Sequence, residues 1–577
     1  MAAALAALPQ TTPQQLRGSV HDALGRAIAG AVVQLRDAAG ASLEQTSTDG
    51  RGNFALAALP AGRSLAAAAP GLAPASAALG REPLVLVLPL AVQQTTVNVT
   101  AMGVPLPEAQ LGNATAAVSG EELERLQPLQ AAAGLRLLAG AAVISSGQPG
   151  AVTSVFLRGA PSDFTKVLLD GVPIQRLDLG GYDFSNLAPV GMASMQVLRG
   201  PDSVIYGSDA AAGVIALRTR RGDEVETPEF DSTTLAGAYA TLQQGNQLLG
   251  QRGPLDFALR YGYTFTHNQQ PGAAFRNHTY GASLGWHVAP GAVARFVLQR
   301  SYADTGQPNA LLFYGLSEGA FKHQGETYAS LSFNQQITPI WSQRVQLTQS
   351  QANLFSEVPA AAGLPDGIGD FDGLPVTIQG GNGFSAQGQA ILSFGGPFPQ
   401  VSPSDTLRRD FNWETSIALA PQWSLIEGYR YYDERGLSSN AALSRHNNGV
   451  YTVLAGGFGS RLFANGGVAS DRNTPFGTSV NPQASLAWFP RLGRSGFWDE
   501  TRLRASAGTG LKDPALEQEV FSLFQELAGA PGGSALIAQL GVQPLRPQRS
   551  RDFDFGLDQY VAGGAGTLSL TWFDQRY

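Results

Sequence analysis

The sequence predicts a mainly β chain: a small N-terminal β-sandwich, a compact α/β unit, and then a long series of antiparallel strands able to cross a membrane as a β-barrel. Three observations carry this. Strands in the last part alternate apolar and polar residues with a period of two, and the connections between them alternate between short and long. No run of about 18 apolar residues, the length a membrane helix needs, occurs anywhere in the 577 residues. Alternating strands cross a bilayer without such a run.

Composition agrees. Glycine is abundant at 69 residues and charged residues are few at 14%, unlike a disordered chain. The formal charge of −7 argues against nucleic acid as a partner. With no cysteine the chain is not a disulfide-stapled mini-domain, and an envelope protein held by sheet hydrogen bonds fits.

Taken in order, residues 1–15 ("MAAALAALPQTTPQQ") run from a short apolar stretch into small residues, and are expected to be the remnant of an export signal. Residues 16–90 carry short apolar runs, such as Ala31–Leu35 and Phe54–Leu56, between Gly- and Asp-rich turns. The series G-x-V, G-A-x-V, T-x-x-x-G-x-F and L-P-A-G within them resembles the carboxypeptidase regulatory-like domain. The segment holds no His/Glu metal pair and is expected to be an accessory module. Residues 93–110 ("QQTTVNVTAMGVPLPEAQ") alternate β-branched residues and then meet Gly and Pro. Alone, they read either as a last sandwich strand with a linker or as an extended segment that adds a strand to a partner's sheet edge.

Residues 111–222 form the α/β unit. Ser119 and Glu122 have capping-box spacing ahead of a helical apolar pattern. Strands are expected at 153–159, 166–174, 195–200 and 212–220. Within this unit, "FLRGAPSDFTKVLLDGVPI", "GGYDFSNLAPV" and "LRGPDSVIYGSDAAAGVIALRTRRG" resemble, in order and spacing, the plug domain of TonB-dependent outer-membrane transporters, the cobalamin-transporter branch most closely. The resemblance implies that Thr96, Val97, Asn98, Val99 and Thr100 form the TonB box, which pairs with TonB. It also implies that Arg158, Arg199, Gly200 and Gly207 are structural residues of a plug packed inside a barrel, each arginine free to pair with a carboxylate. The outward turns of the plug are expected at Ala160–Phe164 and Arg176–Tyr182. Asp163, Arg176, Asp178 and Tyr182 are the candidate substrate-facing residues.

Residues 225–577 read as a barrel independently. In "LDFALRYGYTF" (255–265), Leu255, Phe257, Leu259, Tyr261, Tyr263 and Phe265 share one face and Asp256, Arg260 and Thr264 the other. In "RDFDFGLDQY", Phe553, Phe555 and Leu557 oppose Asp552, Asp554 and Asp558. Short connections are expected at 288–292, 338–341, 420–423 and 562–566, and long ones at 268–277, 305–324, 354–405, 435–480 and 512–548, the outer-membrane pattern. "GTGLKDPALEQEVF" (508–521) and "PLRPQRSRDFDFGLD" (544–558) also resemble blocks of the family's barrel. About 13 strands are expected here against about 22 in plugged transporters, so the chain is expected to be C-terminally incomplete.

Other motifs carry less. "GLSEG" (315–319) has the spacing of a nucleophile elbow, but no helix pattern follows Ser317. Asp366, Asp370 and Asp372 lack EF-hand spacing. The six histidines form no closely spaced pair. The expected function is therefore TonB-dependent uptake of a scarce solute, a ferric siderophore, cobalamin or similar, in the bacterial outer membrane. Its expected partners are TonB with its inner-membrane energising complex, the ligand and outer-membrane lipid. No catalytic residue, cofactor or metal is expected. The alternatives are a surface receptor or adhesin that binds without transporting, and a passive porin, which a plug of this size disfavours.

Overall fold

The computed structural model describes residues 15–22, 27–37, 42–57, 62–68, 75–79, 84–88, 112–308, 319–358, 364–365, 370–372, 375–379, 383–389, 391–393, 399–420, 423–438, 441–458, 461–491, 497–562 and 566–577. The TonB-box candidates Thr96 to Thr100 and the residues around Ser317 lie outside the described residues, as do 1–14.

The N-terminal module stands by itself as two facing sheets, one of three strands and one of four. Gln15–Asp22 pairs antiparallel with Asn53–Ala57 and parallel with Leu84–Leu88. Alternation sends Val33 and Leu35 from one sheet, and Phe54, Leu56 and Leu86 from the other, into a common core. Its Thr48 and Asp49 tie the turn before Phe54. Thr48 Oγ1 donates to the Ile28 carbonyl at 2.7 Å, and Asp49 accepts from the amides of Arg51 and Asn53 at 2.8 and 2.9 Å.

The α/β unit is built on a five-stranded sheet with the spatial order Val172–Pro173, Thr165–Leu169, Gly213–Thr219, Met192–Arg199, Thr115–Ser119. Thr165–Leu169 runs parallel to Gly213–Thr219, and the other pairings are antiparallel. A separate hairpin joins Ala141–Ser145 to Thr153–Leu157. Between sheet and hairpin lies a core of Leu123, Leu135, Val155, Leu157, Val167, Leu169, Met195, Ile215 and Leu217. Helix Gly120–Leu126 starts where the spacing predicts it. Ser119 Oγ accepts from the Glu122 amide at 3.2 Å, and Glu122 accepts from the Ser119 amide at 2.9 Å.

From Glu229 onward the described residues form one antiparallel sheet of fifteen strands in sequence order, with Glu229–Gly237 at one edge and Gly566–Arg576 at the other. The period of two separates its faces as expected. Asp256, Arg260, Thr264, Asp552 and Asp554 are buried, while Leu255, Leu259, Phe553 and Phe555 are exposed. No described helix is long and apolar enough to cross a membrane.

Fifteen strands correct the expected count of about 13. The difference lies at 435–480, read above as one long connection, where Ala441–Phe458 and Leu462–Asn473 are both strands, paired to each other. The misleading signals are Asn448-Gly449 and Asn465-Gly466-Gly467, turn-like dipeptides that here lie mid-strand. Space, not turning, accounts for Gly449: a Cβ there would meet Asp471 Oδ1 at 2.2 Å and Arg430 Nε at 2.8 Å. At Gly467 a Cβ would meet Val453 at 2.8 Å and the plug's Val204 at 3.1 Å.

Gly449→Ala is therefore expected to destabilise the sheet by about 1–3 kcal/mol. Urea unfolding of the folded protein should show a lower midpoint for Gly449→Ala and an unchanged one for Gly466→Ala, which has open space around its Cβ position.

Candidate functional site

The plug's loops meet the strand ends that carry the long connections. Asn268 Nδ2 donates to the Pro149 carbonyl at 2.9 Å. Ser404 donates to Asp178 at 2.9 Å, and Lys322 approaches Asp183 at 3.3 Å. The end of strand Trp498–Lys512 and the segment after it form a clasp over two plug loops. The Leu516 amide donates to the Leu177 carbonyl at 2.8 Å, and Lys512 donates to the Gly180 carbonyl at 3.2 Å and to Asp209 at 2.9 Å. The amides of Leu511 and Asp513 donate to Ser203 Oγ and Ser208 Oγ at 3.0 and 3.1 Å. Behind this segment, Arg445 donates to the Pro514 carbonyl at 2.8 Å and pairs with Glu519 at 2.6 Å.

Deeper on the wall, Arg430 reaches the carbonyls of Ser203, Val204 and Ile205 at 3.1, 2.8 and 2.9 Å while Asp471 accepts from its Nε at 2.9 Å. Those carbonyls belong to the one-turn helix Ser203–Tyr206, in which the Ser203 carbonyl also accepts from the Gly207 amide while the last C=O groups have no partner inside the helix.

The sequence-predicted residues fall around this frame. Arg158 forms a two-pronged pair with Asp554 at 2.7 and 2.8 Å, and its guanidinium also stacks over Phe573. Arg199 donates to the Ala139 carbonyl. Gly200 and Gly207 have φ of +88° and +74°, a region that favours glycine. A Cβ on Gly200 would meet Asp552 at 2.7 Å, and one on Gly207 would meet Arg430 at 3.1 Å. Arg176 and Asp178 are buried and pair with each other; Tyr182 is buried with its ring edge-on to Phe184 at 4.8 Å. Asp163 is half-buried, and Leu179 between the paired residues is exposed. Asp370 and Asp372 lie on one short strand, Asp370–Asp372.

Sequence reasoning missed Lys166, Asp209, Lys512 and Asp513. Lys166 is buried and donates to the Tyr206 and Ser208 carbonyls at 2.7 and 3.1 Å; burial and the nearby Arg408 push its pKa down to about 8. Burial alone would raise Asp209, but Lys512 and Lys166 outweigh it and hold the carboxyl at about 2. Asp202, buried, is pushed up to about 7 by desolvation. The only sequence signal for the clasp was "GLKDPALEQEV", which pattern and spacing alone leave unassigned.

A strand sheet with a polar face turned to an α/β plug defines a class: a plugged β-barrel of the outer membrane. Family models agree over nearly the whole chain. The TonB-dependent receptor plug domain matches residues 107–214, the carboxypeptidase regulatory-like domain 15–104, and the TonB-dependent receptor-like β-barrel 208–577. The chain belongs to the TonB-dependent receptor family. The vitamin B12 transporter BtuB of Photobacterium profundum is 25% identical over 454 residues, covering 76% of this chain and 63% of that protein. BtuB of Vibrio vulnificus (strain YJ016) is 38% identical over 124 residues, 22% of this chain and 20% of that one. The chain thus spans less than two thirds of the length of these curated relatives. Among solved structures, the siderophore receptor PirA from Pseudomonas aeruginosa superposes with a TM-score of 0.56 at 15% identity, covering 80% of this chain and 74% of that one.

The clasp predicts a pH dependence. Asp209 has a lowered pKa in the folded protein, so its contribution is complete above its ordinary value of 3.8 and is lost as pH falls through about 2. Asp209→Asn leaves Lys512 without its anion, at an expected cost of about 3–5 kcal/mol. Hydrogen exchange of residues 203–212 should be faster in Asp209→Asn at pH 6, with the difference from the unmodified protein shrinking as pH falls toward 2.

Proposed function

We propose that this chain serves the TonB-dependent active transport of a scarce solute, a ferric siderophore, cobalamin or similar, across the bacterial outer membrane. One observation carries the proposal: plug loops 176–183 and 203–209 are tied to the barrel wall by buried charged contacts. Breaking one such pair costs about 3–5 kcal/mol, and the clasp contains several, so the plug needs an energy supply to move. TonB, with its inner-membrane energising complex, is the proposed supplier, pulling on Thr96–Thr100. The chain then acts as a carrier, not an enzyme, and needs no cofactor. The BtuB relatives, by name vitamin B12 transporters, support this reading, and the structural likeness to siderophore receptors supports the fold it requires.

Solute binding is proposed at the plug apex, on the side of the long connections. Asp163 and the exposed Leu179 offer the first contacts. Arg176, Asp178 and Tyr182, buried beneath them, become accessible when the clasp around Leu177–Gly180 opens. Deleting residues 96–100 is expected to abolish uptake of labelled cobalamin or ferric siderophore by whole cells while leaving surface binding unchanged. Uptake that survives the deletion would overturn the mechanism.

A further inference from the structure

We propose that the plug's seat against the wall is proton-sensitive and that Asp202 is the sensing group: its carboxyl carries a proton while loop 203–209 is docked and releases it to water when the loop leaves. The inference goes beyond the transport reading and holds for any solute.

Asp202 stands at the start of that loop. Its main chain is fixed, the amide donating to the Ala210 carbonyl at 3.0 Å and the carbonyl accepting from the Tyr206 amide at 3.1 Å. The side chain has no such support. It is 1% exposed, and neither carboxyl oxygen has a hydrogen-bond partner among the described residues. It does not cap the one-turn helix that follows. A charge buried without a partner is far costlier than a neutral acid in the same place, so the docked seat favours the protonated form.

The surrounding elements show why no partner arrives. Arg430 is the charged group that bears on Asp202, but its N–H donors are all committed. Nε serves Asp471, Nη1 the carbonyls of Val204 and Ile205, and Nη2 the Ser203 carbonyl and Asp471. Strand Gly477–Arg491 contributes the uncharged Gln483, and strand Trp498–Lys512 brings Gly508 and Gly510 against Pro201. On strand Gln548–Val561, Asp552 stands beside Gly200 and 3.6 Å from Arg158. Within the turn itself, the buried Tyr206 hydroxyl also lacks a partner among the described residues.

Burial raises the carboxyl from its ordinary 3.8 to about 7, outweighing Arg430, the Ile205 amide and Gln483, which favour the charged form. The docked loop therefore binds a proton that the freed loop does not. This contribution to docking is complete below 3.8 and is lost as pH rises through about 7. Asp209, held at about 2, stays ionised throughout that range. Asp513, whose amide meets the loop at Ser208, is pushed up by burial only to about 6.

Hydrogen exchange of residues 203–209 in the full-length receptor in detergent tests this, with Asp202→Asn fixing the neutral form. The ratio of protection, variant over unmodified protein, should rise about fivefold between pH 6 and pH 7 and level off above about pH 8. Taking the ratio cancels the intrinsic pH dependence of exchange and the part due to Asp513. Should the amide not be accommodated, Asp202→Ala carries the same expectation. Infrared difference spectra between about pH 5 and pH 8 give a readout that does not depend on the loop's protection. The unmodified protein should show the carbonyl band of a buried carboxylic acid at the lower pH, and the band should be weaker in Asp202→Asn. A protection ratio that stays constant over this range overturns the proposal, and so does an infrared band unchanged in Asp202→Asn.

Discussion

Arg430 is the group on which much of the plug's seating depends. Three successive carbonyls of a one-turn helix, those of Ser203, Val204 and Ile205, face a water-poor interior, and only that of Ser203 also accepts from within the turn, from the Gly207 amide at 3.0 Å. The Arg430 guanidinium satisfies all three, and Asp471 on the neighbouring wall holds it in place. An unsatisfied buried carbonyl costs about 1–3 kcal/mol. The helix therefore adopts its place only where this arginine already lies flat along the wall. The loop that follows, Gly207 to Asp209, is placed in turn, which brings Asp209 to Lys512 and Ser208 to the Asp513 amide.

Buried ion pairs of this kind confer position more than stability, because desolvation offsets most of their attraction. A plug seated by apolar packing against the wall would be held by a large, non-directional term, and would present an apolar face whenever it moved. Charged contacts behave differently. They cost much to break one at a time in a dry interface, but their groups regain hydration once water enters. Lys166, Asp209 and Lys512 are such groups. The plug has an apolar core around Leu157, Leu169, Met195 and Ile215, to which the wall adds Tyr328, and its Val204 packs on the wall's Ile426, Val453 and Ala469, so the charged contacts work beside a smaller apolar seat.

How much of this was legible beforehand follows from which forces leave local traces. The capping box at Ser119 and Glu122 is a purely local device and was readable. So was the inward set Asp552, Asp554 and Asp558, because alternation against Phe553 and Phe555 needs no tertiary information. Strands Ala441–Phe458 and Leu462–Asn473 were not, since their Asn-Gly pairs follow a local turn rule that tertiary crowding at Arg430 and Asp471 overrides. The partner of Arg158 could be expected as a class, a lumenal carboxylate, but its identity as Asp554 rests on residues 396 positions apart. The clasp was invisible for the same reason. Nothing in "GLKDPALEQEV" by itself says that Lys512 meets Asp209 or that Leu516 meets Leu177.

The abundance of glycine has the same origin as the lumenal arginines. An arginine that lies along the inner wall to reach a carboxylate one or two strands away crosses positions where any Cβ would collide with it. The wall shows this repeatedly. A Cβ at Gly281 would meet Arg260 Nε at 2.6 Å, and one at Gly285 would meet Asp256 Oδ2 at 1.9 Å and Arg295 Nη2 at 2.7 Å. The plug side does the same at Gly191, where a Cβ would meet Arg260 Cδ at 2.2 Å. Each glycine weakens its strand by about 0.5–1 kcal/mol relative to alanine, a cost spread along a sheet whose hydrogen-bonded ladders supply register. In exchange, long cations lie flat in a narrow space instead of projecting across it, Arg295 paired with Asp256 and Arg260 against the Gln299 amide oxygen. A sequence rich in glycine on the inward phase of its strands, with arginines in the same phase on neighbouring strands, therefore describes a lumen built to hold charge close to the wall.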